Sequence, residues 1–239
     1  KQVGVQTCFV HTDIETRTNL KVVDPINNTF TDINEPGGQV SESDIRKLKN
    51  NLLSMIKPDD IVVFSGRVAN GMEESIVKEW SIQCKQKGAR VFVDAEGSTL
   101  KLAIEAQPYL IKPNLDELES ISGKRLDNRE AVILECERII NSGVSIIVLS
   151  LGKDGAIFFS EQNIFFARAL DVPVNSTVGA GDSMMAAFAY GVHSNFDFEE
   201  TARLSMAASG AKVTCKGTEM PSKEQVYSLL DMVHIEKII

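Results

Sequence analysis

The chain has 239 residues, 43% of them hydrophobic and 24% charged, proportions that exclude a disordered or fibrous polymer and suit one main α/β core. Its 25 basic and 33 acidic side chains give a formal charge of −8 without a dense Lys/Arg run, which argues against nucleic acid as a partner. The longest apolar stretches, such as 144–152, fall far short of the roughly 20 residues that span a bilayer, so no membrane helix is expected.

The first forty residues read as three short strands, 3–13, 16–24 and 28–34, with turn residues at 24–28 between the last two. They are expected to form a small β-lid over 1–36, with the Glu-Pro-Gly-Gly at 35–38 as its boundary and the main core over 37–239. From about residue 60, strand and helix alternate: a strand at 60–66, a helix at 72–87, a strand at 90–97 with Asp94 at its end, and a helix at 98–106. A strand at 109–114 is stopped by Pro113, and helices follow at 115–122 and 128–143. The strand at 144–152 is apolar on both faces, as a strand covered by helices on both sides should be. Two apolar runs around a polar turn at 161–163 predict a hairpin and an antiparallel edge. Three helices close the chain, from Gly179, over 198–213 and over 223–233. The sum is an α/β fold: a doubly wound, mainly parallel sheet flanked by helices, with a small β-lid.

In such sheets ligands bind outside the carboxyl ends of the strands. Four polar clusters fall there: Ser65-Gly66, Asp94, Lys112-Pro113-Asn114 and Ser150-Leu151-Gly152. Gly179, Ala180 and Gly181 then lead into Asp182 at the head of an alanine-rich helix, where unpaired N–H groups and the helix dipole favour an anion. Neither a P-loop nor a dinucleotide fingerprint is present. A carboxylate beside a bound phosphate is unfavourable unless it takes the proton of an attacking hydroxyl, which describes phosphoryl transfer to an alcohol. The N–H groups of Ala180, Gly181 and Asp182 would then hold charge on the transferring group. Asp182 as a plain helix N-cap is an equally ordinary use of the residue. Asn114 and Glu117, three apart at a helix start, face one side, as in a metal pair or a capping box.

Residues 175–191, NSTVGAGDSMMAAFAYG, resemble the C-terminal signature of the PfkB, or ribokinase-like, carbohydrate kinases. The likeness continues through TRTNLKV, VVFSG, VFVDAEG, IKPNLDELE and VLSLGKDGA in the family's order. It implies Asp182 as catalytic base, with Gly179, Ala180 and Gly181 as the anion hole. It also implies Lys112 and Asn114 at the ATP phosphates, Ser150, Gly152 and Gly155 in the nucleotide loop, and Asn114 with Glu117 organising Mg²⁺. Within the family the chain looks most like the sugar-phosphate branch, which implies a ketohexose phosphate as acceptor. Arg17, sharing a strand face with Asn19, would bind the phosphate already on that substrate, with Ser65 and Gly66 also at the sugar. Arg67, where the branch usually has a small residue, is a further candidate. The resemblance leaves a kinase of an unphosphorylated sugar or nucleoside, or a non-catalytic sensor, as alternatives.

The chain begins where family members are several dozen residues along, without their G-G-K-G-x-N segment and first sugar-binding aspartate, so a missing N-terminal part is expected. The lid is expected to pair with its twin in a homodimer. Four dispersed cysteines, Cys8, Cys84, Cys136 and Cys215, suggest reduced thiols in a cytoplasmic protein. His11, His193 and His234 lack ligand-like spacing, and Met184 and Met185 read as core.

Overall fold

The computed structural model describes residues 4–24 and 29–238. The turn expected at 24–28 lies, except for Asp24, outside the described residues. Strands β1 (Asn19–Asp24) and β2 (Thr29–Asn34) form an antiparallel two-stranded sheet of their own, with Leu20 opposite Ile33. Residues 4–18 carry no strand, which corrects the expectation for 3–13. Arg17 likewise precedes β1, so it shares no strand face with Asn19. Alternation alone misled there, because among the described residues no strand pairs with that segment.

Helix α1 (Glu42–Met55) follows, started by the Ser41 side chain accepting from Asp44 N; its polar composition hid it from the sequence reading. The core then builds as β3 (Ile61–Ser65), α2 (Ile76–Gln86), β4 (Arg90–Asp94), α3 (Gly97–Ile104), β5 (Leu110–Ile111), α4 (Leu115–Ser122), α5 (Arg129–Asn141) and β6 (Ile146–Ser150). The hairpin of β7 (Ala156–Ser160) and β8 (Ile164–Ala167) comes next, then α6 (Ala180–His193), α7 (Phe198–Val213), α8 (Lys223–Ser228) and β9 (Ile235–Lys237).

The main sheet has seven strands in the order β3-β4-β5-β6-β7-β8-β9. β3 to β6 are parallel neighbours and the last three pairings are antiparallel, so β8 returns to the direction of β6 and five of the seven strands point one way. The hairpin is not the edge: β9 pairs along β8, and three residues were too few to carry a period. The helix expected over 223–233 breaks at Leu229, where i→i+3 bonds tighten the chain into a 3-10 turn over Leu230–Met232 and bury Val233.

From β4 to β8 both faces of the sheet are covered, whereas edge strand β3 has no buried residue and leaves Val63 exposed. Val91, Val93, Ile147 and Leu149 pack against α2 to α5 through Leu100, Leu118 and Ile139. The alternate residues Phe92, Leu110 and Val148 pack against α6 and α7 through Met184, Phe188 and Met206. Strand residues alternate between two apolar layers, so the sheet is rigid and its carboxyl ends are held in a fixed array.

Candidate active site

Parallel pairing brings the strand ends together. Ser65 is the register partner of Asp94, and Asn114 makes a parallel bridge to Ser150. All four polar clusters therefore meet at one end of the sheet. Lys112, 8% exposed, places its Nζ 3.1 Å from Asp94 Oδ1. Burial pushes the Asp94 carboxyl above the usual carboxylate range, the Lys112 ammonium opposes that shift, and the neighbouring Asp182 charge adds to it.

The N-terminus of α6 arrives at the same place. Its N-cap is Gly179 in the left-handed region, φ 78°, a conformation that favours glycine. Asp182 stands three residues further and its side chain makes no cap bond, so the N-cap use of Asp182 is overturned. Instead its Oδ1 accepts from the Ser65 hydroxyl at 3.3 Å. The Ala180 N–H donates to Thr177 O at 3.2 Å, so it is not turned outward as expected; among the described residues nothing accepts from the N–H of Gly181 or Asp182. A Cβ on Gly181 would stand 3.0 Å from Lys112 Nζ, so the lysine lies directly against the turn.

Asp94, Glu117, Asp182 and Glu96 line a cavity of about 160 Å³ with Ser65 and Arg67. Asn114 and Glu117 form a capping box on α4: Asn114 Oδ1 accepts from Glu117 N and Glu117 Oε2 from Asn114 N, both at 2.8 Å. The other Glu117 oxygen is uncommitted, and burial raises this carboxyl's pKa. Among the described residues no three His, Cys, Asp or Glu side chains converge as a direct metal cage. A hard cation that keeps several waters suits such an acidic, uncaged cavity.

Arg17 and Arg67 line a second cavity of about 280 Å³ beside Gly37 and Gly38. Asn70 ties its walls, donating to Pro36 O and Gly37 O at 2.9 and 3.0 Å. Arg67 also pairs with Glu96, Nε to Oε1 at 3.0 Å. Asn19 is not in this cavity; it starts β1 opposite Asn34. On the other side, Ser150 is half-buried with its hydroxyl 3.4 Å from Pro113 O, and Gly152 opens the turn that Gly155 closes. A Cβ on Gly155 would fall 2.0 Å from Ala167 O, so backbone contact with β8 dictates that glycine. The sequence reading missed Glu96, Asn70 and a buried lysine on α7, Lys212. A lysine amid the small residues of Ala207–Ala211 was the available signal.

Residues 1–225 match the family described as pfkB family carbohydrate kinase. The chain belongs to that family. It is 32% identical over 224 residues to 1-phosphofructokinase of Rhodobacter capsulatus, covering 93% of this chain and 71% of that protein. It superposes on phosphofructokinase-2 from Escherichia coli in complex with substrates and products with a TM-score of 0.90 and 28% identity, covering 96% of this chain and 75% of that one. The tetrameric inhibited form of the same enzyme gives 0.87 and 27%, covering 96% and 74%. The helix-flanked, mainly parallel sheet is thus the ribokinase-like fold that the PfkB resemblance implied.

Proposed function

We propose that the protein transfers the γ-phosphoryl group of ATP to a hydroxyl of a ketohexose phosphate, a fructose phosphate among the candidates, giving ADP and the bisphosphate. The observation that carries this reading is the Asp182 carboxylate presented beside two unpaired N–H groups at the start of α6, with buried Lys112 against Gly181. Ser65 donates to Asp182 Oδ1, as an acceptor hydroxyl would, and Asp182 takes that hydroxyl's proton as its oxygen attacks. The N–H groups of Gly181 and Asp182 and the Lys112 ammonium hold the charge on the transferring group. Mg²⁺, when bound with the nucleotide, neutralises phosphate charge, and the uncommitted oxygen of Glu117, fixed by Asn114, fits it through water.

On the acceptor side Arg17 and Arg67 recognise the phosphate already on the sugar, with Ser65 and Gly66 at its hydroxyls. The loop of Ser150, Gly152 and Gly155 receives the nucleotide. Residues 1–36 act as a lid on the core of 37–239, and the chain pairs with a second copy through the lid, whose Leu20, Val22 and Ile33 are about half exposed. A monomer in light scattering at working concentration would count against that pairing. A cytoplasmic setting accords with the four free cysteines.

The test is ADP release with ATP, Mg²⁺ and fructose 1-phosphate, fructose 6-phosphate or tagatose 6-phosphate. Asp182→Asn should lower kcat by about 10²-fold or more, and Arg17→Ala should raise KM for the sugar phosphate alone. Turnover unchanged in Asp182→Asn would remove the base from this mechanism.

A further inference from the structure

The glycine turn ahead of α6 touches two buried lysines, and the mechanism above uses one. Lys112 lies on the Gly181 side. On the other side, a Cβ at Gly179 would stand 3.1 Å from Lys212 Cε. Lys212 sits in the last turn of α7, is 1% exposed, and donates from Nζ to Gly217 O at 2.8 Å. Among the described residues no carboxylate lies within 4.0 Å of its ammonium. Burying an ammonium is unfavourable unless an opposite charge is near, and one carbonyl with a helix C-terminus offsets only part of that. An anion seated in the turn would complete the balance.

We propose that Lys212 is a second phosphate-binding cation, contacting the nucleotide's phosphates on the Gly179 side of the turn, opposite Lys112. This rests on the kinase reading. Lys112 belongs to the transfer side, held by Asp94, which lines the acidic cavity together with Asp182. Lys212 belongs to the far side, against the 213–217 segment, whose Val213 and Thr214 carbonyls accept from Asn175 in the chain leading to the turn. Two cations on opposite sides of one turn suit a polyphosphate whose terminal group leaves while the others stay.

The rival role is structural, a lysine that only fastens Gly217. Lys212→Gln separates the two, since it keeps a donor for Gly217 and loses the charge, whereas Lys212→Met loses both. Calorimetric titration of parent and variants with adenosine and with Mg-ADP, alongside thermal melts, reads the difference. Both variants should bind ADP about tenfold or more weakly and adenosine as the parent does, with Lys212→Gln melting like the parent. ADP affinity retained in Lys212→Gln, or equal losses for adenosine and ADP, would overturn the proposal and leave a fastening role. A parent that bound no ADP would sink the kinase reading itself, and this inference with it.

Discussion

At the scale of single residues, the site joins groups that would repel without their partners. Asp94, Glu117 and Asp182 face one cavity, and Lys112 is the cation that makes the cluster tolerable. Burial raises the pKa of Asp94 and of Glu117. As pH falls, these two take up protons before a surface carboxylate does. A carboxyl whose folded pKa exceeds its unfolded one adds stability at low pH, and that stability is lost as pH rises through the folded value. Acidification through the raised values therefore does not weaken the fold through these groups. It removes the charge that holds Lys112 and the Glu117 oxygen that the proposed mechanism offers to Mg²⁺. The acidic limb of kcat/KM should lie above the ordinary carboxylate values, with far-UV circular dichroism native throughout it. Loss of activity and of the native spectrum in step would mean that acid acts on the fold instead.

At the scale of elements, α4 links structure to chemistry. Its capping box satisfies two helix-start donors and also aims Glu117. Asn114→Ala removes the cap, about 1 kcal/mol, which corresponds to roughly 2–4 °C in Tm for a chain of this size. Leu118, fully buried, should keep the helix in place, so activity should fall further than stability does. Thermal melts beside turnover check this, and an unchanged melt with full turnover would show that the cap does neither job. The pair was legible in the sequence because Asn114 and Glu117 are neighbours on one helix turn. Strands β3, β4 and β6 were legible because each apolar run ends in a polar residue, Ser65, Asp94 or Ser150, at the carboxyl end of the sheet. The Arg67–Glu96 pair and the contact of Lys212 with Gly179 were not, since each joins residues far apart in sequence that only the completed topology brings together. Helix α1 escaped because polar and charged residues dominate it and none of its residues is fully buried, so its spaced apolar positions form no run that stands out.

At the scale of the whole molecule, one sheet separates two apolar layers, and the thiols report on how it opens. Cys84 on α2 and Cys136 on α5 are fully buried in one layer, Cys215 is buried just beyond α7, and Cys8 is exposed. Burial pushes the Cys84 thiol up to about 11 and Cys136 higher still, so at pH 8 neither holds an appreciable thiolate while the fold is closed. An aromatic disulfide reagent should then modify one thiol per chain at once, and all four in denaturant. The three slow thiols react only through opening, so their rates track the free energy of exposing each region. Ligands that bind only the closed form should slow them in proportion to occupancy. Cys215 follows the α7 turn that carries Lys212, so ADP should protect it more than it protects Cys136 on the opposite layer. Equal protection of the two would mean that the layers open together as one cooperative unit; immediate reaction of a second thiol without denaturant would contradict the closed packing itself.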